Sequence, residues 1–412
     1  MKHSSIFAKN QYLVPGRSTG SNFSVLMDKV IKNNQKELHE LNDVLYLHGI
    51  LTYGNWREKN VDIFRYLTPK QLKRLQKNNM FFVFDAGYEG FSPIYNIPFF
   101  KILYNNCKKY SIDPGQIIFV SSNCKDEQTM HEYSNKENLK PFCVFSFLAF
   151  EGMLKQEVEH GYNHQTKDIA YSKKMCLERH SNKYLSSLSR INREYRTLGT
   201  FLLFNSSVRD KALISHDTKV RHAHEPHLFR KQYGLIEYTD AEVNKWINAL
   251  PLIVDHDNFN VNWAIPSVPY RDIHHQTIFQ IVNETLVDDD FGTSLFYSEK
   301  TFRPIANFQP MLIYGQVGCN HYLKEWGYKL YDDWFDLSFD LEPDPVLRYK
   351  KLLKTVIDAS QKLDQMTREE RVAWRYKNED VLIHNFETIQ ESEVANEKML
   401  TFLKGIRNNR RS

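Results

Sequence analysis

The densest grouping of residues able to do chemistry lies in Thr277–Gly318. An apolar run there ends in Asn283-Glu284-Thr285, and a polar loop with Asp288, Asp289, Asp290 and Gly292 follows. Ser298-Glu299-Lys300-Thr301 then opens a stretch with helical spacing, and Ser298 is of the type that caps a helix N-terminus. Such a terminus concentrates unpaired N–H groups and partial positive charge, and Lys300 adds a full charge beside it. That combination suits phosphate. Glu299, next to it, is placed to accept hydrogen bonds from ribose hydroxyls. Together these residues are suited to grip a nucleoside diphosphate. A plain reading of Glu299-Lys300, as an ordinary charged first turn, stands beside this one.

Strands and helices must position that grip. In the first half, Val44–Ile50, Met80–Ala86, Gln116–Ser121 and Phe142–Phe150 read as strands, with a helix over Pro98–Lys109. The runs are apolar throughout instead of alternating, which suits strands buried on both faces of a parallel sheet. The polar stretch Glu151–Asn182 reads as a crossover. The pattern then restarts with strands at Lys183–Leu188, Ala212–His216, Thr277–Asn283 and Pro310–Gly315 and helices at Arg190–Phe204 and Ser298–Asn307. Amphipathic helices are expected at Val346–Leu363 and Asn378–Leu403. The expected fold class is α/β: two Rossmann-like domains, 1–165 and 166–345, facing a cleft, with C-terminal helices and a basic tail over 346–412.

Ser298-Glu299-Lys300-Thr301-Phe302-Arg303-Pro304, with Pro310 before the next strand, resembles the donor-site motif of GT-B glycosyltransferases. It is similar to the Glu-Lys motif of the α1,3-fucosyltransferases. It is also similar to the S-E-K-T-x-[KR]-P pattern of a glycosyltransferase-like group common in bacteriophages. Gly315, Gly318, Tyr322-Leu323, Gly327-Tyr328, Asp332-Asp333-Trp334 and Leu188-Ser189-Arg190-Ile191-Asn192-Arg193 extend the resemblance over about Lys183–Asp344. The resemblance implies glycosyl transfer from a nucleotide sugar, a UDP- or GDP-sugar, with no metal and no further cofactor required. Glu299 would bind the donor ribose and Lys300 the diphosphate. Arg190 or Arg193 would supply a second cation, and Asn283, Glu284, Ser298 and Thr301 complete the donor site.

An inverting transfer needs a base to deprotonate the acceptor hydroxyl. Asp85 and Glu89 lie in the Gly-containing loop after the run Met80–Phe84, at a strand's carboxyl end, and are the expected candidates. A retaining route needs no such base, and Asp85 would equally serve as the cap of its turn. Ser121-Ser122-Asn123, at the next strand end, would line the acceptor side. Asp288-Asp289-Asp290, Asp255-His256-Asp257 and His274-His275 contain metal-ligating types without the spacing of a complete site, and they read as polar loop residues.

Charge bears on the acceptor. The 412 residues hold 54 Lys+Arg against 50 Asp+Glu, a net +4 that excludes a strongly basic nucleic-acid binder overall. The signs separate along the chain. Tyr171–Lys231 has 13 basic and 5 acidic residues, and Glu284–Pro345 has 4 and 12. Lys219, Arg221 and Arg230 form a cationic loop suited to phosphates of the donor or of duplex DNA, or simply solvated. Lys404–Arg411 would likewise touch DNA or stay a loose tail. Among acceptors, hydroxymethylated cytosine in phage DNA is favoured over a surface glycan. A nucleotide- or nucleic-acid-binding module without catalysis is the alternative from another class.

The 27 Phe, 23 Tyr and 6 Trp exclude disorder across the whole chain. No apolar run approaches the ~20 residues of a membrane span. Five scattered cysteines and an N-terminus without an apolar segment fit a cytoplasmic protein, in the host cytoplasm if phage-encoded. Oligomeric state has no signature in the sequence.

Overall fold

The computed structural model describes residues 3–5, 22–38, 45–50, 62–64, 67–87, 93–152, 154, 173–174, 177–178, 183–189, 193–217, 225–254, 274, 276–287, 294–391 and 393–411. The chain divides into two compact units. Unit 1 is Met1–Met153 with Asp289–Tyr297 and Ser392–Ser412; unit 2 is Leu154–Asp288 with Ser298–Glu391. The fold is α/β with two parallel sheets, one in each unit.

Unit 1 carries the sheet β1 (His3–Ser5), β2 (Leu45–Ile50), β3 (Met80–Ala86), β4 (Ile117–Ser121) and β5 (Cys143–Ser146), ordered as in the sequence and parallel throughout. The side chains of Met80–Asp85 on β3 and of all of β4 are buried, which is why these runs lack alternation. Phe82, Phe84, Phe100, Phe119 and Phe142 meet in the core on one side, with Phe100 edge-on to Phe119 at 5.2 Å. Register pairs Asp85 with Val120 and Ala86 with Ser121, and Ser121 in turn with Ser146, so these residues line one carboxyl edge.

Two expectations change here. The strand expected over Phe142–Phe150 stops at Ser146, because Phe147, Leu148 and Ala149 are buried as irregular and helical backbone. The residues expected as a basic tail lie instead in a helix, Glu393–Arg411, that belongs to unit 1, while the C-terminal helices before it, up to Glu391, belong to unit 2. The Glu393–Arg411 helix buries Ala395, Met399, Leu403 and Ile406 and packs on the helix Asn22–Asn33, which offers Phe23, Met27, Val30 and Ile31. Phe402 lies tilted against Phe145 of β5, the ring centroids 5.1 Å apart. Lys404 pairs with Glu37 at 2.7 Å, and Arg407 donates to the Glu37 carbonyl.

Unit 2 carries β6 (Leu185–Ser189), β7 (Ala212–His216), β8 (Phe279–Asn283) and β9 (Met311–Tyr314), all parallel, in the order β7-β6-β8-β9. Register sets Ser189 beside His216 and Asn283 beside Tyr314, so the strands' carboxyl ends share an edge. The helix Glu194–Phe204 connects β6 to β7, and the helix Glu299–Ala306 connects β8 to β9. The expected helix Asn378–Leu403 is two helices, Glu379–Glu391 in unit 2 and Glu393–Arg411 in unit 1. The long helix Pro345–Gln365 packs on Glu194–Phe204 so closely that a Cβ on Gly199 would lie 2.5 Å from the Tyr349 ring.

Between β8 and the Glu299–Ala306 helix the chain leaves unit 2. Asp289–Tyr297 belongs to unit 1, and the return comes at Ser298. Within unit 1, Asn123 holds this segment: its Oδ1 accepts the Leu295 N–H at 2.9 Å, and Cys124 N–H donates to the Leu295 carbonyl at 2.8 Å.

Candidate functional site

The carboxyl end of β8 carries the first two site residues. Asn283 donates through Nδ2 to Ser187 Oγ and Ser189 Oγ, both at 2.8 Å, tying β8 to β6. Glu284 continues the strand pairing by donating its N–H to the Tyr314 carbonyl at 2.9 Å. Its side chain is 1% exposed. Oε1 accepts from Ser298 N–H at 3.0 Å and Thr301 Oγ1 at 2.6 Å; Oε2 accepts from Ser298 Oγ at 2.6 Å and Thr285 N–H at 3.0 Å. An ionised carboxylate has about four acceptor positions, so these four donors fill it. Gly315, just after β9, permits the approach: a Cβ there would stand 3.3 Å from the Glu284 Cβ.

The helix Glu299–Ala306 starts where the sequence places it. Ser298 is its N-cap, with extended backbone and a side chain that accepts the Lys300 N–H. Lys300 folds back over this cap: Nζ donates to Ser298 Oγ at 3.1 Å and to Glu299 Oε1 at 2.9 Å. Arg303, one turn on, approaches the same Glu299 oxygen at 3.8 Å. The side chains of Lys300, Glu299 and Arg303 are 22%, 23% and 19% exposed, so the ionic row is accessible but largely shielded. Burial raises the Glu299 carboxyl, yet Lys300 and Arg303 outweigh it and hold the group below the usual carboxylate range. Burial, followed by the Arg196 charge, pushes the Lys300 ammonium below the ordinary lysine value, although Glu299 and Glu284 oppose the shift.

Arg196 is the site residue that sequence reasoning missed. It is buried on the helix Glu194–Phe204, where Nε donates to the carbonyls of Asn283 and Glu284 at 3.2 and 3.3 Å. Its Nη2 reaches Thr285 Oγ1 at 3.2 Å. Burial lowers the guanidinium's proton affinity. The available signal was its spacing three residues after Arg193, which sets both arginines at the start of the helix leaving β6. Arg193 itself is the exposed N-cap position of that helix, and Arg190 lies outside the described residues.

The other expected residues separate. Asp85 is the next-to-last residue of β3 and not part of the loop after it; it is 2% exposed and accepts the Gly87 N–H at 2.9 Å, the turn-capping contact. Glu89 lies outside the described residues. Ser121, Ser122 and Asn123 are buried; Asn123 Nδ2 and Ser121 Oγ both donate to the Asp126 carboxylate, so they brace the turn after β4. Arg230 pairs with Asp240 at 2.6 Å, while Lys219 and Arg221 lie outside the described residues. The segments 255–257 and 288–290 and His275 lie outside them too. His274 is a buried histidine bonded through Nδ1 to Gln309 at 2.6 Å. Among the described residues, no group of three His, Cys, Asp or Glu is arranged to hold a metal ion, and no helix is long and apolar enough to cross a membrane.

No protein-family model and no curated protein matches the sequence. Solved structures with a similar chain course include an α,α-trehalose 6-phosphate synthase from Burkholderia multivorans. That match has 9% identity and a TM-score of 0.38, and covers 94% of this chain and 76% of the other. The N-terminal domain of Candida albicans trehalose-6-phosphate phosphatase matches with 12% identity and a TM-score of 0.41 over 94% and 76%. A UDP-forming α,α-trehalose-phosphate synthase from Burkholderia xenovorans, in complex with glucose-6-phosphate, matches with 12% identity and a TM-score of 0.39 over 92% and 78%. Identity at this level leaves the site to be read from its own residues. Those residues define an α/β protein with a carboxylate-braced helix start and a shielded row of cations beyond the carboxyl ends of a parallel sheet.

Proposed function

We propose that the protein is a GT-B-type glycosyltransferase that uses a UDP- or GDP-sugar. The carrying observation is Lys300, folded over Ser298 and Glu299 with its charged form disfavoured by burial and by the charge of Arg196. Cations held in this way are relieved by an anion, and a diphosphate supplies two phosphates' worth of negative charge. The position agrees, since ligands of parallel α/β sheets bind beyond the strands' carboxyl ends. In the reaction the acceptor hydroxyl attacks the anomeric carbon and the bond to the diphosphate breaks. Charge then builds on the leaving phosphate oxygen, where Lys300 and Arg193 stabilise it; Arg196 adds its field from beneath. Glu299 receives the ribose hydroxyls. Asp85 or Glu89 remains the proposed base for an inverting route.

The finer reading, transfer to hydroxymethylated cytosine in phage DNA, rests on the basic loop with Lys219 and Arg221. The described cations give it little: Arg230 is paired with Asp240, and Lys404 and Arg407 are bound to Glu37. The test is calorimetric titration with UDP and GDP, followed by a panel of nucleotide sugars incubated with hydroxymethylated DNA and read by mass spectrometry. Binding of one diphosphate that weakens strongly in Lys300→Ala and less in Glu299→Ala is expected. Unchanged binding in Lys300→Ala would sink the donor site. Binding without transfer to any acceptor would favour a non-catalytic module.

A further inference from the structure

Glu284 looks by type like a ligand for the donor, but its four bonds turn it inward. Ionised, it can only accept. The Ser298 hydroxyl therefore donates its one hydrogen to Glu284 Oε2, at 2.6 Å. Having done so, Ser298 Oγ presents only lone pairs to its other neighbours, the Lys300 N–H and the Lys300 ammonium. The bonds thus run in one direction, from Lys300 Nζ to Ser298 Oγ to Glu284. Meanwhile the Ser298 N–H and the Thr301 hydroxyl, both at the helix start, are already taken by Glu284 Oε1.

We propose that Glu284 is a positioning residue. It acts as a built-in anion at the start of the Glu299–Ala306 helix, and through the Ser298 hydroxyl it aims the Lys300 ammonium at the donor diphosphate. The inference rests on the donor-site reading above. It also revises that reading, because the phosphates are met by side-chain cations and not by the Ser298 N–H.

Glutamine in place of Glu284 keeps the shape and breaks the direction. Its amide nitrogen must face either the Thr285 N–H or the Ser298 N–H, donor against donor. Placed toward Thr285, it also reverses the Ser298 hydroxyl, so that a hydrogen points at the ammonium. Ser298→Ala removes the relay alone, and Ser298→Thr restores a hydroxyl at the cap.

The experiment is titration of the full chain with UDP and with GDP from neutral pH up to the ordinary lysine value. The variants are Lys300→Ala, Glu284→Gln, Ser298→Ala and Ser298→Thr, with circular dichroism to confirm folding. Ser298→Ala and Glu284→Gln are expected to weaken binding about tenfold, as for loss of one charge-assisted hydrogen bond. In Ser298→Ala the alkaline loss of affinity should also move to lower pH, since the hydroxyl acceptor favours the charged ammonium. Ser298→Thr should bind within about threefold of the parent. If Glu284→Gln does not fold, Ser298→Ala decides. Parent-like affinity in Ser298→Ala, or a loss equal at every pH, overturns the relay while Lys300→Ala still reports the donor site. Parent-like binding in Lys300→Ala overturns the donor-site reading itself.

Discussion

Each unit sets a buried carboxylate just beyond the carboxyl end of a strand: Asp126 after β4 in unit 1 and Glu284 after β8 in unit 2. Both gather several donors. Asp126 takes the Ser121 hydroxyl and the Asn123 amide, and Asn123 in turn accepts the N–H groups of Lys125 and Leu295. Glu284 takes two hydroxyls and two main-chain N–H groups. The difference lies in what surrounds them. Arg196 bonds the Glu284 carbonyl, and Lys300 reaches Glu284 through Ser298, with Arg303 on the same ionic row. A buried carboxylate that braces a turn marks architecture. The same brace with shielded cations packed against it is what the proposed donor site adds.

The sharpest break of this comparison is Lys300→Ala set against Asp126→Asn. Loss of a charge-assisted contact should weaken UDP or GDP binding by about 2–3 kcal/mol, near a hundredfold, whereas Asp126→Asn should leave affinity unchanged. Equal losses in the two variants would erase the distinction. Next in size is Asn123→Ala, which leaves the Lys125 and Leu295 N–H groups without their acceptor. It should cost about 1–3 kcal/mol in urea unfolding. An unaltered midpoint would mean that the brace in unit 1 is not structural.

The third test uses pH. In the proposed donor site the charged form of Lys300 receives the diphosphate, and burial lowers the ammonium's pKa. Nucleotide affinity should therefore fall as pH rises, beginning below the ordinary lysine range, and Lys300→Arg should move that fall upward. A profile flat through the ordinary lysine range would contradict the shift. The smallest effect belongs to Arg230→Ala. Its pair with Asp240 is a partly exposed ion pair, so its removal should cost at most about 1 kcal/mol and leave nucleotide binding untouched. A large loss of binding would bring the basic loop into the site.

Strands such as Met80–Ala86 and Ala212–His216 were legible to the residue, because apolar runs flanked by turn residues have few other uses in a parallel sheet. The cap at Ser298 was legible for the same local reason: capping chemistry is carried by one side chain and its neighbours. Arg196 was hidden because an arginine in a helix's first turn reads as solvated surface until the strand beside it is placed. The run Phe142–Phe150 misled because apolar character reports burial and not backbone shape. The membership of Asp289–Tyr297 in unit 1 depends on pairing with Asn123 and Cys124, some 170 residues earlier, and no local pattern announces it. The C-terminal cations resemble a tail by charge alone, but Met399, Leu403 and Ile406 among them recur at helical intervals and are buried.

That C-terminal helix has a consequence for the order of events during synthesis. Most of unit 1 lies before unit 2 in the chain, and domains commonly fold as they emerge. Its interior here is closed by Met399, Leu403 and Ile406, and its sheet edge is covered where Phe402 meets Phe145. The N-terminal sheet must therefore wait, with apolar surface uncovered, while all of unit 2 is translated. Unit 2, complete by Glu391, is finished first although it is started second.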